Sequence, residues 1–155
     1  MAFREIERKF LVTDTSVIAD SAGTSMVQAY LISTAERSLR VRMTDEGSFL
    51  TFKGPRAGAA RVEIECEVPT EMAEQLLHIC EPAVVSKIRY PVFANGWVWA
   101  VDVFQDDNEG LVLAEVELPR ENSAVTKPHW CGLEVTEDER YYNEFLARTP
   151  YRTWK

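Results

Sequence analysis

Cysteine is scarce in this chain and poorly placed for bridging. Cys66, Cys80 and Cys131 are odd in number and form no close pair, so neither a disulfide framework nor a thiolate zinc site is expected, and a reducing compartment suits them. Histidine is scarcer still. His78 has no second ligand four residues on, and a structural or solvated role is expected for it. No apolar run approaches the roughly 18 residues that span a bilayer, and Met1 to Val12 is too charged for a signal peptide. A soluble, cytoplasmic protein with no membrane partner is therefore expected. Positive charge is in deficit too: 17 Lys and Arg face 25 Asp and Glu, a formal charge of -8. That balance argues against binding nucleic acid or an anionic membrane through the general surface. An anionic ligand must find a local basic site.

What the chain does have is alternation. With 155 residues, 46% of them hydrophobic, and no internal repeat or linker, residues 1–155 fit one globular domain. In Arg4 to Val12 the charges Glu5, Glu7 and Lys9 occupy every second position, which in an extended chain puts them on one face. Two carboxylates on one strand suit a hard cation such as magnesium or manganese, which take oxygen ligands. The same pattern also fits the wet face of an ordinary sheet. Repetition along the chain adds weight. Arg40 and Arg42 alternate with Leu39, Val41 and Met43; Thr51 and Lys53 alternate with Leu50 and Phe52; Arg61, Glu63, Glu65 and Glu67 alternate with Val62, Ile64, Cys66 and Val68. Lys87 and Arg89 then oppose Ile88 and Tyr90. Asp102 is the lone charge in the apolar run Trp97 to Phe104, and Glu115 and Glu117 stand opposite Ala114, Val116 and Leu118.

Turns separate these runs. Asp45-Glu46-Gly47 and Asn95-Gly96 are hairpin signals, Gly54 to Ala60 is a small-residue loop, and Asp106 to Gly110 is a further turn. Thr13 to Met26 is a polar connector with room for one helical turn around Val17 to Ala19, followed by a strand over Met26 to Ile32. Thr70 is placed to cap a helix whose apolar spacing is Met72, Leu76, Ile79 and Cys80. Thr136 and Glu139 fit a capping box before a second helix, to Ala147, with Tyr142, Phe145 and Leu146 as its stripe. The predicted architecture is mainly β (α+β): about eight antiparallel strands, joined mostly as hairpins, with two or three peripheral helices. Closing the sheet into a barrel would remove its edges. Pattern alone leaves open whether the charged faces point into a barrel or outward from a sandwich.

The alternating faces carry seven basic residues (Lys9, Arg40, Arg42, Lys53, Arg61, Lys87, Arg89) and eight acidic ones (Glu5, Glu7, Glu63, Glu65, Glu67, Asp102, Glu115, Glu117). They sum to -1 in a chain of -8, so cations are concentrated there. If the faces point inward, burying unpaired ions is costly and the interior must be wet, paired or occupied. Two divalent cations would bring the lining to about +3, a potential suited to a polyanion.

Glu5-x-Glu7-x-Lys9 resembles the ExExK signature of the CYTH superfamily, the triphosphate tunnel metalloenzymes. Arg40-x-Arg42, Lys53, Glu63-x-Glu65, Lys87-x-Arg89, Asp102 and Glu115-x-Glu117 follow in the order that family shows, and the resemblance extends through Glu134 to Asn143. It implies an eight-stranded antiparallel tunnel that binds triphosphates with magnesium or manganese, two ions being expected, and cleaves or cyclises them. It further implies that Glu5, Glu7 and Glu117 are principal metal ligands, with Glu63, Glu65, Asp102 and Glu115 auxiliary or water-mediated. Lys9, Arg40, Arg42, Lys53, Lys87 and Arg89 match the triphosphate cradle, and Lys53 with Tyr30 match a pair implicated in the chemistry. The chain looks most like small bacterial enzymes that hydrolyse inorganic tripolyphosphate to pyrophosphate and phosphate. The alternatives are a thiamine triphosphatase, a class IV adenylate cyclase, or a non-catalytic polyphosphate- or nucleotide-binding module. A small-molecule triphosphate is the expected partner, and the protein is expected as a monomer or homodimer. Trp97, Trp99 and Trp130 read most simply as packing.

Overall fold

The computed structural model describes residues 3–154; Met1, Ala2 and Lys155 lie outside the described residues. Alternation dictates its architecture. Eight strands, β1 (Phe3–Val12), β2 (Thr24–Ser33), β3 (Ser38–Thr44), β4 (Gly47–Lys53), β5 (Ala60–Val68), β6 (Val84–Ala94), β7 (Trp97–Phe104) and β8 (Val112–Glu117), pair antiparallel in the order β5-β4-β3-β2-β6-β7-β8-β1. The ring closes because β1 serves two partners: Phe3 to Ile6 pair with Glu63 to Ala60 of β5, and Glu7 to Leu11 pair with Glu117 to Leu113 of β8. The sheet is thus a barrel with its charged faces inward, which decides the alternative that pattern left open.

The outer faces are apolar and need covering. Phe10, Trp99, Val101, Val116 and Trp130 form one outer core, in which Trp99 meets Phe10 and Trp130 edge-on with ring centroids 5.6 and 5.7 Å apart. The tryptophans pack there as their sequence context suggested. A ninth strand, β9 (Cys131–Glu134), lies outside the barrel against the end of β1. It was not foreseen, since four residues are too few to show a period. The helix α1 (Thr70–Cys80) lies over β2, β3 and β4. It buries Ala73 and Leu77, while Met72 and Ile79, expected on its packing stripe, are exposed. The smaller Ala73 lets the helix sit close to Ala29 and Val41 beneath it. Thr70 is the first helical residue and makes no cap; Pro69 precedes it.

The last helix departs further from expectation. Thr136 does not open it, because the Thr136 hydroxyl accepts from the Lys9 amide at 3.0 Å and donates to Glu134 at 2.7 Å. The helix α2 is only Asn143–Arg148, preceded by a 3-10 turn at Glu139–Tyr141. Its Leu146 and Ala147 pack on Val85, Phe104 and Leu113, residues in phase with the inward-facing Lys87, Asp102 and Glu115. One end of the barrel interior is therefore filled by an apolar stopper, and the rest is left to charge. At the Asn95-Gly96 hairpin both residues have positive φ, 53° and 83°, as its tight turn requires.

Candidate active site

Beyond the stopper the lumen holds a cavity of about 200 Å³, lined by Glu5, Glu7 and Lys9 of β1, Tyr30 of β2, Arg40 and Arg42 of β3, Lys53 of β4, Arg61, Glu63 and Glu65 of β5, Lys87 and Arg89 of β6, and Glu115 and Glu117 of β8. The closed barrel thereby brings to one point nearly every charge that alternation singled out. Two of the set stay apart: Glu67 is exposed at the end of β5, and Asp102 is fully buried behind the wall. A second chamber of about 500 Å³ shares Glu5, Glu7, Arg42, Arg89, Glu115 and Glu117, and opens past Met26, Phe49, Pro91 and Val98.

Asp102 was expected to be an auxiliary metal ligand. Its Oδ1 accepts from Arg89 Nε at 2.7 Å, and its Oδ2 accepts from Arg89 Nη2 at 2.7 Å and from Lys87 Nζ at 2.8 Å. Both oxygens are committed to cations, so Asp102 serves as the counter-charge that aims Lys87 and Arg89. Lys9 lies 3.3 Å from Glu115 and donates to the carbonyl of Tyr141 at 3.2 Å. Lys87 also donates to Asn143 Oδ1 at 3.2 Å. The segment leading into α2 thus anchors two nearly buried lysines.

Across the lumen the contacts are looser. Lys53 Nζ donates to Glu5 Oε2 at 2.8 Å and lies 3.6 Å from Glu63. Arg40 and Arg42 approach Glu65 only at 3.7 and 3.8 Å. Thr51 links them, since its hydroxyl accepts from Arg40 at 3.2 Å and donates to Glu65 at 2.6 Å. The Nε atoms of Arg40 and Arg42 and Glu63 Oε2 are buried with no hydrogen-bond partner among the described residues, an arrangement that leaves them wanting a ligand. Lys53 and Tyr30, expected as a pair, are not bonded to each other. The Tyr30 hydroxyl instead accepts from Gln28 Nε2 at 3.1 Å.

Titration follows this split. Burial, with Glu115 and Glu5 nearby, pushes the Glu7 carboxyl up to about 7. Burial also acts to raise Glu5, but Lys53 outweighs it and holds Glu5 below its ordinary range. Glu115 is opposed by burial yet held well below the ordinary range by Lys9 and Arg89. Burial lowers Lys87 to about 8 despite Asp102, and lowers Arg42 to about 10, with Arg40 and Arg89 adding repulsion. Burial raises the Tyr30 phenol above its ordinary value.

Among the described residues no three acidic, histidine or cysteine side chains converge as a ready metal cage. The donor set nevertheless fits a hard divalent cation. The carboxylates are all-oxygen donors, and Glu7 is pushed up to about 7 by burial and by its neighbours Glu115 and Glu5, the latter a repulsion that a cation removes. Magnesium in particular binds through one or two carboxylates, water and substrate phosphate rather than in a full protein cage.

Six lining residues were given no site role by the sequence: Arg61, which alternation placed only on the charged face of β5, and Ser38, Arg56, Tyr142, Asn143 and Glu144. Ser38 opens β3 in phase with Arg40 and Arg42 and pairs with Lys53, so alternation could have found it. Arg56 lies in the Gly54 to Ala60 loop, where no period marks a face, and Tyr142, Asn143 and Glu144 depend on a close approach that spacing does not encode.

The CYTH domain pattern matches residues 4–146 of this sequence. The chain belongs to the CYTH family. This CYTH chain is 41% identical over 153 residues to an inorganic triphosphatase of Acetivibrio thermocellus, covering 98% of each chain. It is 36% identical over 148 residues to an inorganic triphosphatase of Nitrosomonas europaea, covering 92% of this chain and 96% of the other. Among solved structures, an inorganic triphosphatase superposes with a TM-score of 0.68 at 35% identity, covering 92% of this CYTH chain and 93% of that one. A Pyrococcus horikoshii protein, 22% identical with a TM-score of 0.57 and covering 76% of this chain and 80% of that one, shares the fold.

Proposed function

We propose that this chain hydrolyses inorganic tripolyphosphate to pyrophosphate and phosphate, with magnesium or manganese bound in the lumen. The observation that carries this reading is the chemistry of the inner cavity: its walls are basic, acidic, hydroxylic or amide, with no aliphatic side chain among the described residues that line it. Binding energy there must come from phosphate oxygens and metal rather than from an organic group. The names of the two relatives, both called inorganic triphosphatases, agree.

In this reading Arg40, Arg42 and Arg89 hold phosphoryl oxygens through their planar donors, and Lys9, Lys53 and Lys87 supply point charges. Glu5, Glu7, Glu115 and Glu117 would hold one or two cations, with Glu63 and Glu65 reaching them through water. When bound, the metal supplies polarisation of phosphoryl oxygens and a more acidic coordinated water. The neutral Tyr30 hydroxyl, accepting from Gln28, has its proton free to donate into the cavity. Lys53, released from Glu5 as substrate enters, neutralises charge that grows on the leaving pyrophosphate. Attack of water forms one P–O bond and breaks the bridging P–O bond on the same phosphorus.

Phe49, Pro91 and Val98 at the outer chamber favour a second reading, in which an organic triphosphate leaves its organic part at the mouth. Side-by-side kcat/KM for tripolyphosphate, ATP and thiamine triphosphate separates the two. Tripolyphosphate is expected to be the best substrate by at least an order of magnitude, on the scale of the several charge-assisted bonds at stake. Preference for either organic substrate, or cyclic AMP formed from ATP, would overturn the choice. Binding without phosphate release would make this a recognition module.

A further inference from the structure

The inner cavity has two unlike ends. One opens to the outer chamber between Glu5, Glu7, Glu115 and Glu117. The other is walled by Arg56, Arg61, Tyr142 and Glu144, residues that also line a cleft on the far side, so this wall is one side chain thick. Within the wall Arg61 is spoken for: its Nε donates to the Gly54 carbonyl at 2.9 Å, and its Nη1 lies 3.8 Å from Glu144. Arg56 is different. Its guanidinium lies 3.8 Å from the centroid of the Tyr142 ring, and among the described residues it has no hydrogen bond and no carboxylate partner. Every other cation of the inner cavity has at least one. Stacking on an aromatic face fixes a guanidinium in place while leaving its in-plane donors unused.

Both partners of this stack are held by structure. The Tyr142 hydroxyl donates to the Thr136 carbonyl at 3.1 Å. The loop that carries Arg56 is pinned by reciprocal bonds between Ala57 and Ala60, at 2.8 and 3.1 Å, and by the Glu7 amide, which donates to the Ala59 carbonyl at 3.0 Å. The last bond ties Arg56 to the strand whose carboxylates face the other end of the cavity. A fixed, unpaired guanidinium at the closed end of an anion site meets whatever group enters first.

We infer that Arg56, stacked on Tyr142, forms a subsite for the terminal phosphoryl group of a linear phosphate chain, so that the chain enters end-on through the chamber mouth and its leading phosphoryl stops at this wall. The inference rests on the triphosphate reading above and gives that substrate a direction.

Two measurements test it. First, kcat/KM for tripolyphosphate in Arg56→Ala is expected to fall roughly tenfold or more, the scale of one charge-assisted bond to an exposed arginine. Arg56→Lys should recover part of the loss, keeping the charge without the planar fork. Arg148→Ala removes an exposed charge of the far-side cleft that does not line the inner cavity, and should stay within twofold of wild type. Second, the rise in Tm on adding tripolyphosphate in EDTA should be smaller for Arg56→Ala than for wild type. The subsite is overturned if Arg56→Ala keeps wild-type kcat/KM, if Arg148→Ala loses as much as Arg56→Ala, or if both proteins show the same ligand-induced shift in Tm. A wild-type protein without turnover would sink the hydrolase reading instead, and the shift in Tm would still decide the subsite.

Discussion

Asp102 on β7 and Glu7 on β1 are separated by one strand, β8, yet their surroundings are opposite. Asp102 is fully buried and receives three hydrogen bonds from two cations, all between 2.7 and 2.8 Å. Burial acts to raise its carboxyl, but Lys87 and Arg89 hold it below the ordinary range. Glu7 lies among other carboxylates, accepts no hydrogen bond from a cation among the described residues, and is pushed up to about 7 by burial and by Glu115 and Glu5. The cavity it lines also holds the unsatisfied Nε atoms of Arg40 and Arg42 and the unsatisfied Glu63 oxygen. A buried charge with all its partners is part of the scaffold, whereas a buried group that lacks them is waiting for something. The saturated cluster holds Lys87 and Arg89 in place, and the unsaturated one is the half of the lumen whose polar atoms are left for a ligand to satisfy.

The comparison is broken most forcefully at Asp102. Asp102→Ala leaves the buried Lys87 without its counter-charge and the half-buried Arg89 with only Glu115, at 3.4 Å, and removing one partner of a buried pair costs about 3–5 kcal/mol. In a chain of this size that lowers Tm by roughly 10 °C, whatever ligand is present. A melting curve within a few degrees of wild type would remove Asp102 from the scaffold.

Glu7→Gln sharpens the contrast from the other side. The amide preserves shape but cannot hold a cation, so activity on tripolyphosphate is expected to fall about a hundredfold or more, on the scale of lost electrostatic stabilisation at a phosphoryl-transfer site. The metal-free fold should be no less stable than wild type, because the protonated Glu7 it replaces is also uncharged. Near-normal turnover at saturating magnesium would reject the assignment, and unfolding would merge the two clusters into one structural network.

The smallest effect is read by pH. The unfolded Glu7 carboxyl releases its proton near its ordinary 4.5, and the folded one near 7. Its contribution to stability is therefore full below about 4.5 and is lost as pH rises through 7. In EDTA, wild type should lose Tm relative to Glu7→Gln across that window, and the difference should level off above it. Metal binding needs the ionised carboxylate, so manganese affinity should strengthen by up to about tenfold per pH unit below 7 and then plateau. A manganese titration flat from pH 5 to 8 would show that Glu7 is not coupled to the metal.

Sequence by itself determined the strands and their faces. Period-two alternation depends only on an extended backbone and the side-chain geometry at each Cα, so Glu5, Glu7 and Lys9, the arginine pair on β3 and the carboxylates of β5 and β8 could be placed on common faces without coordinates. The Asn95-Gly96 turn was equally local, since two positive φ angles call for those residues. Tertiary structure decided what local rules do not encode. That the charged faces turn inward depends on β1 switching partners from β5 to β8 midway along its length, a long-range pairing that closes the ring. Saturation is a matter of ångströms between side chains from different strands, so no spacing separates Asp102, bound on both oxygens, from Glu7, bound on neither among the described residues. The stopper needed α2 to start at Asn143 rather than Thr136, because the Thr136 hydroxyl was drawn into bonds with Lys9 and Glu134. Arg56 came from a loop with no period at all, and reached the cavity only because the turn that carries it is tied to β1.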